Sequence, residues 1–278
     1  MKRNGRKIFA GILLCLCVCL LVPTTVSAKK THKRILNQYI TKNKNYTVLA
    51  YNTTHSNVYV YAKADNRSKC YGSLGYGDTV IVNTSKLVKN KKYAWLPIYL
   101  NNRKNKSGKP LTAWVVIRNM QLEKMYTRKY SNNKTIDKAI KTGMQYLGTP
   151  FELGSSSLSR EIDCSNFVVQ CFRRAGKNLC SWAHTDNLQA VSREIFFHRK
   201  NKPLTQKQLN YLKAGDLLFY YEEDTHGPIG HVGIYIGKGF MINSSGHYGE
   251  TYPRGGITIK RVQYGSRYMV RCMRIYGY

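Results

Sequence analysis

Two stretches constrain this chain more than the rest of it. Asp163-Cys164-Ser165-Asn166-Phe167-Val168-Val169-Gln170-Cys171-Phe172 reads as a helix that opens on a cysteine. Its apolar stripe is Phe167, Val168, Cys171 and Phe172, and Gly176 closes it after Ala175. Gly230-His231-Val232-Gly233-Ile234-Tyr235-Ile236-Gly237 reads as a strand. Val232, Ile234 and Ile236 share one face, and His231, Gly233 and Tyr235 the other. Unpaired N–H groups and the positive dipole end at a helix start favour thiolate over thiol at Cys164. A histidine brought beside it can take the thiol proton and later return it to a leaving amine. Cys171, deeper on the same helix face, is expected to be a buried structural thiol.

The strand also predicts a partner for His231. Gly237-Lys238-Gly239 is a turn into Phe240-Met241-Ile242-Asn243. A three-residue turn centred on Lys238 sets Gly233 opposite Asn243, so His231 becomes a same-face diagonal neighbour of Asn243. An amide oxygen there would hold the imidazole N–H and fix its tautomer. His247 is the fallback for that role, while His226 and His198 read as surface residues.

Three motifs occur in order: Asp-Cys-Ser-x-Phe-Val from Asp163, Ala214-Gly215-Asp216-Leu217-Leu218-Phe219, and His-Val-Gly-Ile-Tyr-Ile-Gly from His231. Together they resemble the NlpC/P60 cysteine peptidases, papain-like enzymes that cut peptides of the bacterial cell wall. The resemblance covers residues 135–275. It implies Cys164 as nucleophile, His231 as base and Asn243 as the orienting member, where the family more often has histidine. It implies that Asp163 helps bind the amino end of the substrate, and a helix N-cap is the equal alternative. It further implies cleavage of peptidoglycan stem peptides between D-glutamate and the diamino acid. Leu147 to Phe151 with Gly154 resembles the family's approach loop. Phe151, a candidate substrate-binding residue, stands where tyrosine is usual, and Leu153 where a second glycine is usual. His184, Thr185 and Gln189 fit a family segment that lines the substrate groove, with histidine in place of arginine. Thr185 is therefore a candidate binding residue, and His184 is not expected to be catalytic.

The N-terminus bears on where such a protein would act. A basic run from Lys2 to Lys7, an apolar run from Ile8 to Val22 and Val26-Ser27-Ala28 together make residues 1–28 a secretory signal peptide. The apolar run is short for a membrane span, so no stable membrane insertion is expected after cleavage. Cys15, Cys17 and Cys19 fall inside the signal, and none follows a small residue that would suit lipid attachment. Cys70, Cys164, Cys171, Cys180 and Cys272 remain, an odd set that leaves at least one thiol free. No CxxC pair exists, so neither zinc nor another cofactor is expected. The formal net charge of +31 implies a polyanionic surrounding. The lysines are dispersed and no nucleic-acid-binding module is visible, so nucleic acid is not the expected partner. Anionic wall polymers fit better.

Residues 29–45 read as a basic tether of low order. Residues 46–125 read as short strands with turns, including 57–61, 79–82, 93–99 and 113–117, with a polar loop over 101–110. This series resembles a bacterial SH3-like (SH3b) domain, which implies wall binding or substrate positioning. Trp95 and Trp114 are expected in its core. Residues 126–134 read as a linker, and Thr135 as the N-cap of the next helix. Residues 193–202 look irregular, 204–212 a short helix, and 221–229 a loop. Helices first and antiparallel strands after give an α+β class. The predicted architecture is a papain-like NlpC/P60 catalytic domain at 135–278, preceded by a small all-β SH3-like barrel. The function it implies is a secreted peptidoglycan endopeptidase. The alternatives are an inactive wall-binding protein, or an amidase or acyltransferase using the same Cys-His pair.

Overall fold

The computed structural model describes residues 36, 39, 45–87, 94–198, 204–221, 229–246, 250–262 and 269–278. The predicted signal peptide, residues 222–228 of the expected loop, His226 and His247 lie outside the described residues; Tyr221 and Ile229, expected at the ends of that loop, are strand residues.

The N-terminal half comprises β1 (Tyr46–Asn52), β2 (Val58–Tyr61), β3 (Cys70–Leu74), β4 (Asp78–Ile81), α1 (Thr84–Leu87), β5 (Trp95–Lys104), β6 (Pro110–Val116) and β7 (Met120–Tyr126). Its strands divide between two sheets. One is β3-β2-β6-β5, and β7-β1-β4 belong to the other. Val60, Leu74, Ile98 and Val115 of the first meet Val48, Ala50 and Val80 of the second in one core. Alternation sets this up: a strand covered on one face presents every second side chain to that face. Trp95 and Trp114 are half-buried and stand outside this core, contrary to the sequence expectation. They occupy the positions between the inward residues and therefore point the other way. Asn101 to Lys104 continue β5, so the turn is only 105–109. Asn105 Oδ1 accepts the N–H groups of Ser107 and Lys109 there. Within the stretch expected as a tether, Leu36 is buried in the same core and the Tyr39 hydroxyl donates to the Leu122 carbonyl.

The C-terminal half comprises α2 (Lys134–Gln145), α3 (Cys164–Arg174), α4 (Thr185–Ala190), β8 (Ser192–Phe197), α5 (Gln206–Tyr211), β9 (Leu217–Tyr221), β10 (Ile229–Gly237), β11 (Phe240–Ser245), β12 (Gly256–Arg261) and β13 (Met269–Ile275). Asn133, not Thr135, caps α2, because its Oδ1 accepts the N–H groups of both Thr135 and Ile136. The segment expected to be irregular holds β8, paired along β13. His198 is buried, not on the surface, with its Nδ1 3.1 Å from Gln208 Nε2.

The large sheet runs β7-β1-β4-β12-β11-β10-β9-β13-β8. On one face Phe219, Val232, Ile234 and Ile242 pack against Ile140, Phe167 and Phe172 of α2 and α3. On the other, Tyr220, Tyr235, Met241 and Cys272 form a smaller core. The helix-covered face positions α3 against β10, which sets the site.

The halves are not joined by the 126–134 linker alone. β4 pairs with β12, Thr79 opposite Ile259 and Asp78 opposite Lys260. A buried Lys260–Asp78 ion pair at 3.1 Å reinforces the ladder. Tyr252, from the β11–β12 connection, is buried in the N-terminal core. Gly148, at φ +92°, presses on β5 so closely that a Cβ would lie 2.6 Å from the Asn102 nitrogen. Three of the strands expected in a separate barrel are thus part of a sheet shared with the second half. Alternation fixes which face of a strand is buried, not which strand lies beside it.

Candidate active site

Helix α3 begins at Cys164 because Asp163 caps it. Asp163 Oδ1 accepts the Asn166 N–H at 2.7 Å, and Oδ2 accepts Asn166 Nδ2 at 2.8 Å and the Gly154 N–H at 3.1 Å. The Ser165 hydroxyl lies 3.0 Å from Asp163 Oδ1 and 3.2 Å from the Ala183 carbonyl oxygen. Of the two roles open to Asp163 in the sequence, the structure displays the cap. Its oxygens already serve this network.

These bonds also raise two walls around the thiol. Gly154 is drawn to Asp163 on one side and Ala183 to Ser165 on the other. Between them lies a cleft of about 660 Å³ lined by Leu153, Gly154 and Ser156, by Trp182 to Asp186, and by Cys164 and Gly230. Leu153 is 81% exposed and Trp182 76% exposed, both unusual for large apolar side chains. Thr185 is buried and its hydroxyl donates to the Ile229 carbonyl at 2.9 Å, tying α4 to the start of β10. His184 caps α4, its Nδ1 accepting the Asp186 N–H at 3.3 Å. Phe151, expected to bind substrate, is half-buried and does not line this cleft.

Cys164 Sγ lies 3.9 Å from the Gly230 carbonyl oxygen. The thiol therefore sits against the opening of β10, beside the backbone that carries His231. Burial pushes it up to about 11, and the Asp163 charge adds to this. The N–H groups of Val232, Ser165 and Cys164 itself pull the other way. The lowering expected from the helix start is present but outweighed, because a thiolate loses more hydration than these donors return.

His231 is buried, with Nε2 3.1 Å from Asn243 Oδ1. Asn243 Nδ2 donates to the Thr258 carbonyl at 3.3 Å. That second bond turns the amide so its oxygen faces the ring, an orientation that suits a proton on His231 Nε2. The register follows the predicted hairpin: Ile234 faces Ile242, and a Cβ at Gly233 would sit 3.1 Å from Asn243 Cβ. A register shift between Tyr235 and Gly237 and a left-handed Lys238 at φ 53° complete the turn. Sequence reasoning missed Thr258. Its contribution is a backbone carbonyl, and side-chain identity does not advertise one.

All five cysteines among the described residues are unpaired, and no group of three or more His, Cys, Asp or Glu among those residues could hold a metal ion. Cys171 is buried in the main core, as expected.

A buried thiol at a helix start, facing a strand whose histidine is held through its second nitrogen, belongs to the cysteine hydrolases. Residues 148–267 match the model of the NlpC/P60 family, so the C-terminal half contains an NlpC/P60 domain with cell-wall peptidase homologues. The chain is 32% identical over 125 residues to the peptidoglycan DL-endopeptidase CwlO of Bacillus licheniformis, covering 43% of this chain and 24% of that one. It is 36% identical over 110 residues to a gamma-D-glutamyl-L-lysine dipeptidyl-peptidase of Bacillus subtilis, covering 40% and 32%. It is 29% identical over 136 residues to the murein DD-endopeptidase MepH of Escherichia coli, covering 48% and 43%. The chain spans less than half the length of each of these relatives.

Proposed function

We propose that this chain is an exported cysteine endopeptidase that hydrolyses amide bonds in peptidoglycan stem peptides. The observation that carries the proposal is the His231–Asn243 pair, 3.1 Å apart, beside the backbone that touches Cys164 Sγ.

His231 Nδ1 takes the Cys164 proton as the sulfur attacks the scissile carbonyl carbon. Because burial favours the neutral thiol, this transfer accompanies substrate arrival rather than preceding it. The C–S bond forms and the carbonyl π pair moves to oxygen. The Cys164 N–H, at the helix start, faces that oxyanion. Collapse breaks the C–N bond, and His231 gives its proton to the departing amine. Water then attacks the thioester, with His231 again as base, releasing the acid and restoring the thiol. Asn243 Oδ1 holds the imidazolium in each half-reaction. Asp163 and Thr185 act by holding the walls, while Leu153 and Trp182 meet the substrate.

The relative named a gamma-D-glutamyl-L-lysine dipeptidyl-peptidase supports the D-glutamyl–diamino acid bond as the one cut, and the name DL-endopeptidase agrees with a bond between a D and an L residue. The strands at 46–125 act as an SH3-like wall-contacting unit, and the basic surface favours anionic wall polymers. One observation favours a second reading, a wall-binding protein whose peptidase fold is inactive: the raised thiol pKa. Digestion of purified peptidoglycan and soluble stem peptides, read by mass spectrometry beside Cys164→Ala, separates the two. New fragments with the wild type alone support the peptidase and identify the bond. No fragments from any wall type sink it, and fragments in both samples remove Cys164 from its role.

A further inference from the structure

The cleft reverses the sign of the chain around it. Lysine and arginine number 45 in the whole sequence, against 14 acids. The cleft is lined by Asp163 and Asp186 and, among the described residues, by no lysine or arginine. An acidic lining in a basic chain favours a cationic group on whatever enters. Asp163 is committed to its cap, with bonds on both oxygens.

Asp186 is held differently, by a chain of hydrogen bonds that starts at the sheet edge. Arg271 on β13 pairs with Glu194 on β8 at 3.0 Å, and its Nη1 donates to Gln189 Oε1 at 2.8 Å. With its oxygen so occupied, the Gln189 amide turns Nε2 to Asp186 Oδ1, 3.2 Å away. His184 Nδ1 lies 3.4 Å from Asp186 Oδ2, but it accepts the Asp186 N–H and in that role presents a lone pair. Among the described residues, Oδ2 thus receives no hydrogen bond. A carboxylate steadied through one oxygen and open at the other is prepared for an ammonium donor.

The chemistry decides which half of a substrate reaches it. His231 hands its proton to the departing amine, so the leaving half lies along the start of β10. The Thr185 hydroxyl bonds the Ile229 carbonyl two residues before His231, and Asp186 follows Thr185 on α4. Asp186 therefore stands beside the leaving half. For a stem peptide cut before its diamino acid, that half carries a second amine. Free, this amine is a cation; acylated, as in a cross-link, it is neutral.

We propose that Asp186 pairs with the free side-chain ammonium of the diamino acid and so directs the cleft to stem peptides not cross-linked through that amine. The proposal rests on the wall-peptidase reading. The Asp186 side chain is 71% exposed, which makes the pair a modest selector and not an anchor.

Two soluble stem peptides test this, identical except that the side-chain amine is free in one and acetylated in the other. Cleavage by the full chain is read as kcat/KM. We expect the free amine to be favoured about fivefold, and Asp186→Asn to bring the two peptides level. Asparagine keeps the oxygen that Gln189 Nε2 bonds, so the substitution removes the charge and spares the helix. Calorimetry on Cys164→Ala, with and without Asp186→Asn, reads the same preference as affinity, free of chemistry. Equal rates and equal affinities for the two peptides overturn the proposal and leave the peptidase standing. A preference that survives Asp186→Asn also overturns it, as a purely steric objection to the acetyl group would survive. If neither peptide is cut, yet Cys164→Ala binds the free amine about fivefold more tightly through Asp186, the peptidase reading falls and the ammonium site stands. Peptides neither cut nor bound remove both.

Discussion

The two halves of this molecule bury similar strands and present different chemistry. In the C-terminal half helices cover the sheet, and the reactive groups are recessed: Cys164, His231 and Asn243 are 8%, 3% and 0% exposed. In the N-terminal half sheet covers sheet, and the rings lie on an open face. A recessed group needs a second group to hold it, as Thr258 holds Asn243 and Asn243 holds His231. An open face needs only strand parity. Mutations in the first should therefore propagate through partners, and mutations in the second should act one at a time.

The sharpest test of that contrast is Cys164→Ala. It should lower fragment release by about 10³-fold or more while leaving the denaturant midpoint unchanged, measured by mass spectrometry and circular dichroism on the same sample. A lowered midpoint would mean the thiol serves the fold as well as the cleft.

Alkylation compares two thiols on one helix. Iodoacetamide should modify Cys164 slowly at pH 8 and about a hundredfold faster near pH 11, where the buried thiol ionises. The sign follows from burial of the neutral form. The stability it contributes is complete below the unfolded thiol range near 8.5 and is lost as pH rises through about 11. Cys171, buried in the main core with its thiol also pushed up, should stay unlabelled in the folded protein. Rapid labelling of Cys164 below pH 8 would show that the helix start prevails after all.

Tyr252→Ala probes the seam. Removing this ring should cost about 3 kcal/mol, read from denaturant midpoints as a shift of one common transition. Separate transitions for the two halves in the wild type would break the picture of a shared sheet.

Asn243→Ala should lower kcat roughly tenfold to a hundredfold and shift the pH profile, with Asn243→His restoring part of the rate. An unchanged profile would reduce Asn243 to packing. The smallest effect is at the rim. Trp182→Ala should raise KM about threefold with kcat unchanged, because it removes contact made equally in ground and transition states.

Much of the site was legible in the sequence. Cys164 at a helix start, His231 at a strand start and the hairpin register that reaches Asn243 are local facts, and local spacing determines them. The state of the thiol was not legible. It depends on how much water the first turn of α3 loses when β10 and the two walls close around it. The outward tryptophans were legible in principle, since Leu96, Ile98 and Leu100 claim the inward positions and leave Trp95 the other parity. Residue type suggested core, and parity overrode it. The pairing of β4 with β12 was beyond reach, because Thr79 and Ile259 are distant in the chain and neither names its neighbour.

That pairing changes how the chain can be divided. Cutting at residue 135 looks like separating two beads on a string, yet the cut runs through a hydrogen-bonded ladder. A fragment of residues 135–278 would present β12 as a raw edge, carry Lys260 without Asp78 and leave Tyr252 without its socket. Such an edge recruits another copy, so the excised fragment should self-associate more than the whole chain. Truncation and fusion that treat the catalytic half as portable would meet insolubility before they met a question of activity.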